Sequence, residues 1–205
     1  FGPWVMGADR ELLDVVTSAN IACGFHAGDA DTMAQTMRLA VEADVGIGAH
    51  PGFLDLQGFG RRRMQVPLAT LRHWVQYQMG AAQAMARAAG GSVRLLKLHG
   101  ALSNMACEDL DMAHACYEAA LEVDADVILV VLAATKLQEA AEALGARMAC
   151  EIFADRAYND DATLVDRSKP GAVIHDADLA ARRMVEMVQE GAILTESGAR
   201  IPTRI

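Results

Sequence analysis

The chain has 205 residues, 53% of them hydrophobic, a formal net charge of -9 and a pI near 5.1. That is enough apolar material for one α/β domain with a full core. The acidic balance argues against general nucleic-acid binding, which needs a basic surface. No apolar run approaches the roughly 20 residues of a membrane helix, so no membrane partner is expected.

Cys23, Cys107, Cys116 and Cys150 are scattered without a C-x-x-C pair, which excludes a zinc ribbon or thioredoxin motif and fits a reducing cytoplasm. The chain opens on Phe1 without the charged-then-apolar start of a secretory signal, and residues preceding it are expected.

In chain order, five short apolar runs read as buried strands: 20–25, 45–50, 92–98, 126–133 and 146–153. Helical stripes lie between and after them. Met33, Met37, Ala40 and Val41 form the first. Leu68, Leu71, Val75, Met79 and Ala82 form the second, with Pro67 expected at its first turn. Residues 101–123 read as helical with weaker edges. Leu137, Ala140, Ala141 and Leu144 end at Gly145, and Ala180, Met184, Met187 and Val188 end at Gly191. Alternating strand and helix without a linker predicts one domain over residues 1–205, built on a parallel sheet covered by helices.

The polar residues follow the strands. His26 and Asp29 come after the first, His50 closes the second, and Lys97 and His99 close the third. Asp155 and Arg156 come after the fifth. Three of six histidines therefore fall at the carboxyl ends of parallel strands, the edge where such folds gather a ligand. Asp29 is also placed to cap a helix. Cys23 reads as a small buried thiol, and His73, His114 and His175 receive no role. Residues 50–64 form a long loop in which Gly58 and Gly60 frame Phe59 ahead of Arg61, Arg62 and Arg63, a composition suited to phosphate or carboxylate. The Walker pattern is absent. A second long loop, 153–174, is expected to act as a lid over the same edge.

The stretches "SANIACGFHAGD", "GAHPGFLDLQGFGRR", "YQMGA", "KLHGAL", "EIFADRAY" and "LVDRSKPGAVI" together resemble the LamB/YcsF family, the A subunit of bacterial ATP-dependent 5-oxoprolinase. The resemblance implies a seven-stranded (β/α) barrel of the glycoside hydrolase/deacetylase type, here without its first and last strands. Family members open on an acidic "DLNADLGE" strand ahead of the segment matching Phe1, Gly2 and Trp4, and close on "C-x-HGD". Leu98 and Ser103 depart from the family's "KPHGALYN".

The implied reaction opens the lactam of 5-oxoproline to L-glutamate with ATP as co-substrate, in company with subunits B and C. Under it, His26, Asp29, His50 and His99 are expected to move protons and position water. Lys97 with Arg61 or Arg62 would neutralise carboxylate or phosphate, and Asp155 and Arg156 would orient the others. Two alternatives stand beside this reading. One is a deacetylase-like hydrolase taking a divalent metal on His26, His50 and His99, although no H-x-x-H or H-x-x-x-H spacing occurs. The other is a binding subunit without chemistry of its own. A metal requirement and homo-oligomerisation stay open.

Overall fold

The structure is a computed structural model and describes residues 9–203. After a short helix, α1 (Asp9–Leu13), the chain alternates strand and helix: β1 (Ser18–Ala22), α2 (Ala30–Glu42), β2 (Gly46–His50), α3 (Leu68–Ala88), β3 (Val93–Leu96), α4 (Gly100–Glu108), α5 (Leu110–Val123), β4 (Ile128–Leu132), α6 (Lys136–Ala143) and β5 (Met148–Glu151). α7 (Ala177–Glu190) and a hairpin of β6 (Ala192–Leu194) and β7 (Arg200–Pro202) follow.

The five expected strands form one parallel sheet in sequential order, β1 to β5. Among the described residues β1 and β5 are its two edges. The acidic opening strand and the closing "C-x-HGD" strand lie outside the described residues. One continuous core runs beneath the helices, from Leu13 through Ile21, Met37, Leu71, Leu96 and Leu129 to Ile193. α3 lies along α5, and both bury small side chains, Ala82 and Ala86 on one and Ala113, Ala119 and Ala120 on the other, so the two backbones approach closely.

Several boundaries differ from the sequence reading. β1 stops at Ala22 rather than residue 25, because Gly24 takes φ +91° and turns the chain sharply before His26. Pro67 stands at the N-cap of α3 with extended ψ of 137°, one position earlier than expected. The 101–123 stretch is two helices. Asp109 ends α4 in an extended conformation, and its carboxylate accepts from the Met112 N–H to cap α5. Val41 and Val188, placed in apolar stripes, are 37% and 53% exposed, since each lies one residue past the buried arc of its helix. Gly145 and Gly191 end α6 and α7 with φ of 61°, as expected. The β6–β7 hairpin is additional to the sequence reading; its signal is the apolar run Ala192–Leu194 followed by a turn at Gly198 with φ +84°.

Candidate active site

His26, His50 and His99 meet at the carboxyl edge of β1, β2 and β3. Parallel register pairs Ala22 with His50, and the ladder continues past β3 as Lys97 N–H donates to the Ala49 carbonyl and His99 N–H to the Pro51 carbonyl. His26 reaches the same point through the Gly24 turn. The His26 and His99 rings stack 3.7 Å apart at 7°, and His50 stands edge-on to both. His50 Nδ1 lies 2.6 Å from the Lys97 carbonyl, His99 Nδ1 lies 3.1 Å from His50 Nε2, and His99 Nε2 lies 2.7 Å from the Phe59 carbonyl.

The 50–64 loop seals this cluster. Asp55 is buried; one carboxylate oxygen accepts from the Gly58 N–H and from Arg62, and its backbone holds the loop to the Phe25 and Gly60 peptides. Phe59 and Gly60 both take left-handed conformations, φ +54° and +65°, which turn the Phe59 carbonyl onto His99. Gln78, buried on α3, clamps the other end: its side chain accepts from the Gly52 N–H and donates to the Gly52 carbonyl, both at 3.0 Å. Asp55 and Gln78 are absent from the residues singled out by the sequence. The signal for Gln78 is an amide in the middle of an apolar helix stripe.

Beside the histidines opens a cavity of about 300 Å³, lined by His50, His99, Lys97, Arg61, Arg156 and Arg167, with Ser103, Asn104 and Phe153. Lys97 pairs with Glu151 at 2.6 Å and lies over the Phe153 ring, while Arg61 lies over Phe59. The 153–174 loop reaches the cavity with Leu164, Asp166 and Arg167. It is folded on itself by Arg156, which donates to the Ala172 and Val165 carbonyls at 3.1 and 2.6 Å.

The structure separates the expected residues. His50, His99, Lys97, Arg61 and Arg156 line the cavity; His26 lies behind His99 with 2% exposure. Asp29, Arg62 and Asp155 are not among the lining residues. Asp29 caps α2, accepting from Thr32 N–H at 2.7 Å, and Arg62 is bound to Asp55. Arg156 spends two contacts on the backbone of the 153–174 loop, so its first job is to shape that loop. Arg167, Ser103 and Asn104, not assigned from the sequence, take their place on the wall.

The surroundings disfavour the charged form of all three histidines. Burial first, then the neighbouring His99, lowers the His26 pKa to about 3. Burial also lowers His50, helped by His99, His26 and Lys97; it lowers His99 against the opposing Phe59 carbonyl, helped by Arg61, Lys97 and Arg167. The Cys23 thiol, bonded to the Ile21 carbonyl, is pushed up to about 12 by burial and is inert, as expected. Because the folded-state pKa of His26 is depressed, its stabilisation is present above the unfolded value of 6.5 and is lost as pH falls toward 3. His26→Phe, which keeps a flat ring against His99, is expected to lose less stability than the parent between pH 7 and pH 5 in urea unfolding. An equal loss in both would show that His26 is not the group responsible.

In this arrangement His50 and His99 leave no ring nitrogen without a partner for a metal shared with His26. No group of three or more His, Cys, Asp or Glu side chains is disposed to hold an ion among the described residues.

This is an α/β protein with a parallel sheet and a small, cation-lined cavity at the carboxyl ends of its strands. The chain belongs to the LamB/YcsF family, whose model matches residues 1–205. It is 65% identical to the A subunit of 5-oxoprolinase from Ruegeria pomeroyi, over all of this chain and 81% of that one. It is 55% identical to the corresponding 5-oxoprolinase chain of Rhodopseudomonas palustris strain BisA53, over all of this chain and 80% of the relative. The crystal structure of the lactam utilization protein from Thermus thermophilus superposes with a TM-score of 0.91 at 41% identity, covering all of this chain and 83% of that one. No helix among the described residues is long and apolar enough to cross a membrane.

Proposed function

We propose that this chain is the A subunit of a cytoplasmic ATP-dependent 5-oxoprolinase and that its cavity handles the lactam after partner subunits B and C have phosphorylated it. On this reading the five-stranded sheet is the core of the seven-stranded barrel that the family resemblance implies. The observation that carries the reading is the charge of the cavity. Arg61, Lys97, Arg156 and Arg167 line it, opposed by Glu151 on Lys97, by Asp155 on Arg156 and by Asp166 on the wall. A carboxylate and a phosphate are the anionic groups that such a cluster of guanidinium and ammonium donors holds. The size, about 300 Å³, is at the small end of ligand pockets and suits a lactam phosphate better than a nucleotide, in keeping with the absence of a Walker loop.

The chemistry follows from the weakness of a lactam as an electrophile. Transfer of the ATP γ-phosphoryl group to the lactam oxygen leaves ADP and an imidate-like ring carbon. Water attacks that carbon, its oxygen forming the new C–O bond as a proton is released. The C–N bond then breaks with protonation of nitrogen, giving a free amine and an acyl phosphate. A second water releases phosphate and L-glutamate. Arg61, Lys97 and Arg167 hold the anionic groups, and the His50–His99 pair holds the proton that the departing nitrogen needs.

The test is ATP-dependent conversion of 5-oxoproline to glutamate by the full-length chain with and without its two partners. Turnover is expected only in the complex, and Arg167→Ala is expected to lower it about tenfold to a hundredfold, the worth of one charged hydrogen bond. Robust turnover by the isolated chain, or an unaffected Arg167→Ala complex, would contradict the reading.

A further inference from the structure

The hydrogen-bond chain through His50 and His99 is one hydrogen short when both rings are neutral. A carbonyl oxygen only accepts, so the ring nitrogens facing Lys97 O and Phe59 O, at 2.6 and 2.7 Å, must both carry hydrogen. The nitrogens facing each other at 3.1 Å need one more between them. Three contacts thus require three hydrogens, and two neutral imidazoles supply two. Two neutral rings can serve both carbonyls and leave the contact between them empty, and one added proton completes the chain. Neutral His26 lies face-on against His99, an arrangement that suits one charged ring beside one uncharged ring.

The surroundings oppose that charge in the absence of ligand. His26 faces the pair from the β1 side, Lys97 from β3, and Arg61 from the 50–64 loop. Arg167 and Arg156 approach from the 153–174 loop. The Cys23 thiol beside β2 stays neutral. Of the carboxylates, Glu151 is held by Lys97 and Asp166 stands on the far wall. An anion bound among Arg61, Lys97 and Arg167 removes this opposition.

We propose that anion binding in the cavity is coupled to uptake of one proton by the His50–His99 pair, which closes the contact between the two rings and so ties the Phe59 loop that carries Arg61 to β2 and β3. The coupling rests on the reading of the cavity as an anion site. It is reciprocal: a ligand that raises the pair's proton affinity binds more weakly as pH rises, by up to tenfold per pH unit between the free and bound midpoints. The substrate would thereby load the acid that its own ring opening consumes.

Sulfate, which does not titrate near neutral pH, is the probe. In the full chain labelled with 15N-histidine, long-range imidazole spectra are recorded against pH with and without sulfate. Saturating sulfate is expected to place hydrogen on both nitrogens of one ring of the pair and to raise the pair's midpoint by about one to three pH units. His99→Gln is expected to abolish the shift while the signals of His73, His114 and His175 stay in place. A midpoint unmoved by bound sulfate would overturn the proton coupling and leave the anion site standing. Failure of sulfate to bind at all would overturn the anion site and the coupling with it.

Discussion

In the complex reconstituted from full-length subunits, His99→Ala is expected to slow glutamate formation by about a hundredfold to ten-thousandfold, the usual worth of a positioned acid or base. Four features of the structure meet at this ring. It stacks on His26, bonds His50, holds the loop at the Phe59 carbonyl and faces the cavity. Removing it deprives His50 of its partner at Nε2 and the Phe59 carbonyl of its donor, so the proton store and the loop anchor vanish together. His99→Gln retains a side-chain amide and is expected to recover folding without recovering rate. Near-parental glutamate formation by His99→Ala would remove the histidine pair from the chemistry.

The second large effect is expected at Gly60. An added Cβ there would lie 2.7 Å from His26 Cβ and 2.8 Å from His99 Cδ2, and the residue already sits at φ +65°. Gly60→Ala should therefore cost both the left-handed conformation and the overlap, on the order of 3 kcal/mol together. The Gly60 carbonyl also accepts from Ala101 N–H at 2.9 Å, so a displaced Gly60 disturbs the start of α4 and with it Ser103 and Asn104. Gly90→Ala is the control. Its φ of +84° carries the same conformational penalty, but no atom lies within 4 Å of the added Cβ. Gly60→Ala is expected to lower the melting temperature further than Gly90→Ala and to lose most activity. Equal melting shifts and intact activity would show that the loop is not seated on the histidines as described.

The sheet is legible in the sequence because its strands appear as short, mostly apolar runs bounded by Gly or charge, even though β3 exposes Arg94 and β5 is only partly buried. The meeting of three histidines is legible as well, since strand ends of a parallel sheet share one edge. Their mutual geometry is not. That His99 stacks on His26 and bonds His50 depends on the Gly24 turn and on the ladder continuing past β3, neither of which has a periodic signature. Asp29 shows the opposite limit. Its place as a helix cap is plain from the sequence, which has no means of telling that the turn leaves its carboxylate away from the cavity wall. Arg61 and Arg62 look alike in the sequence, yet Asp55 takes the second and leaves the first to the cavity. Arg167 is visible only as one charge in a polar loop. Its contribution emerges once Arg156 folds that loop over the strand ends.

The division of labour between this chain and its partners is tested most directly by the ratio of ADP to glutamate produced by the complex carrying His99→Ala. If the partners phosphorylate the lactam and this cavity opens it, the complex should still form at least one equivalent of ADP per site, only when 5-oxoproline is present, and almost no glutamate. Loss of 5-oxoproline-dependent ADP formation in step with glutamate would contradict the account.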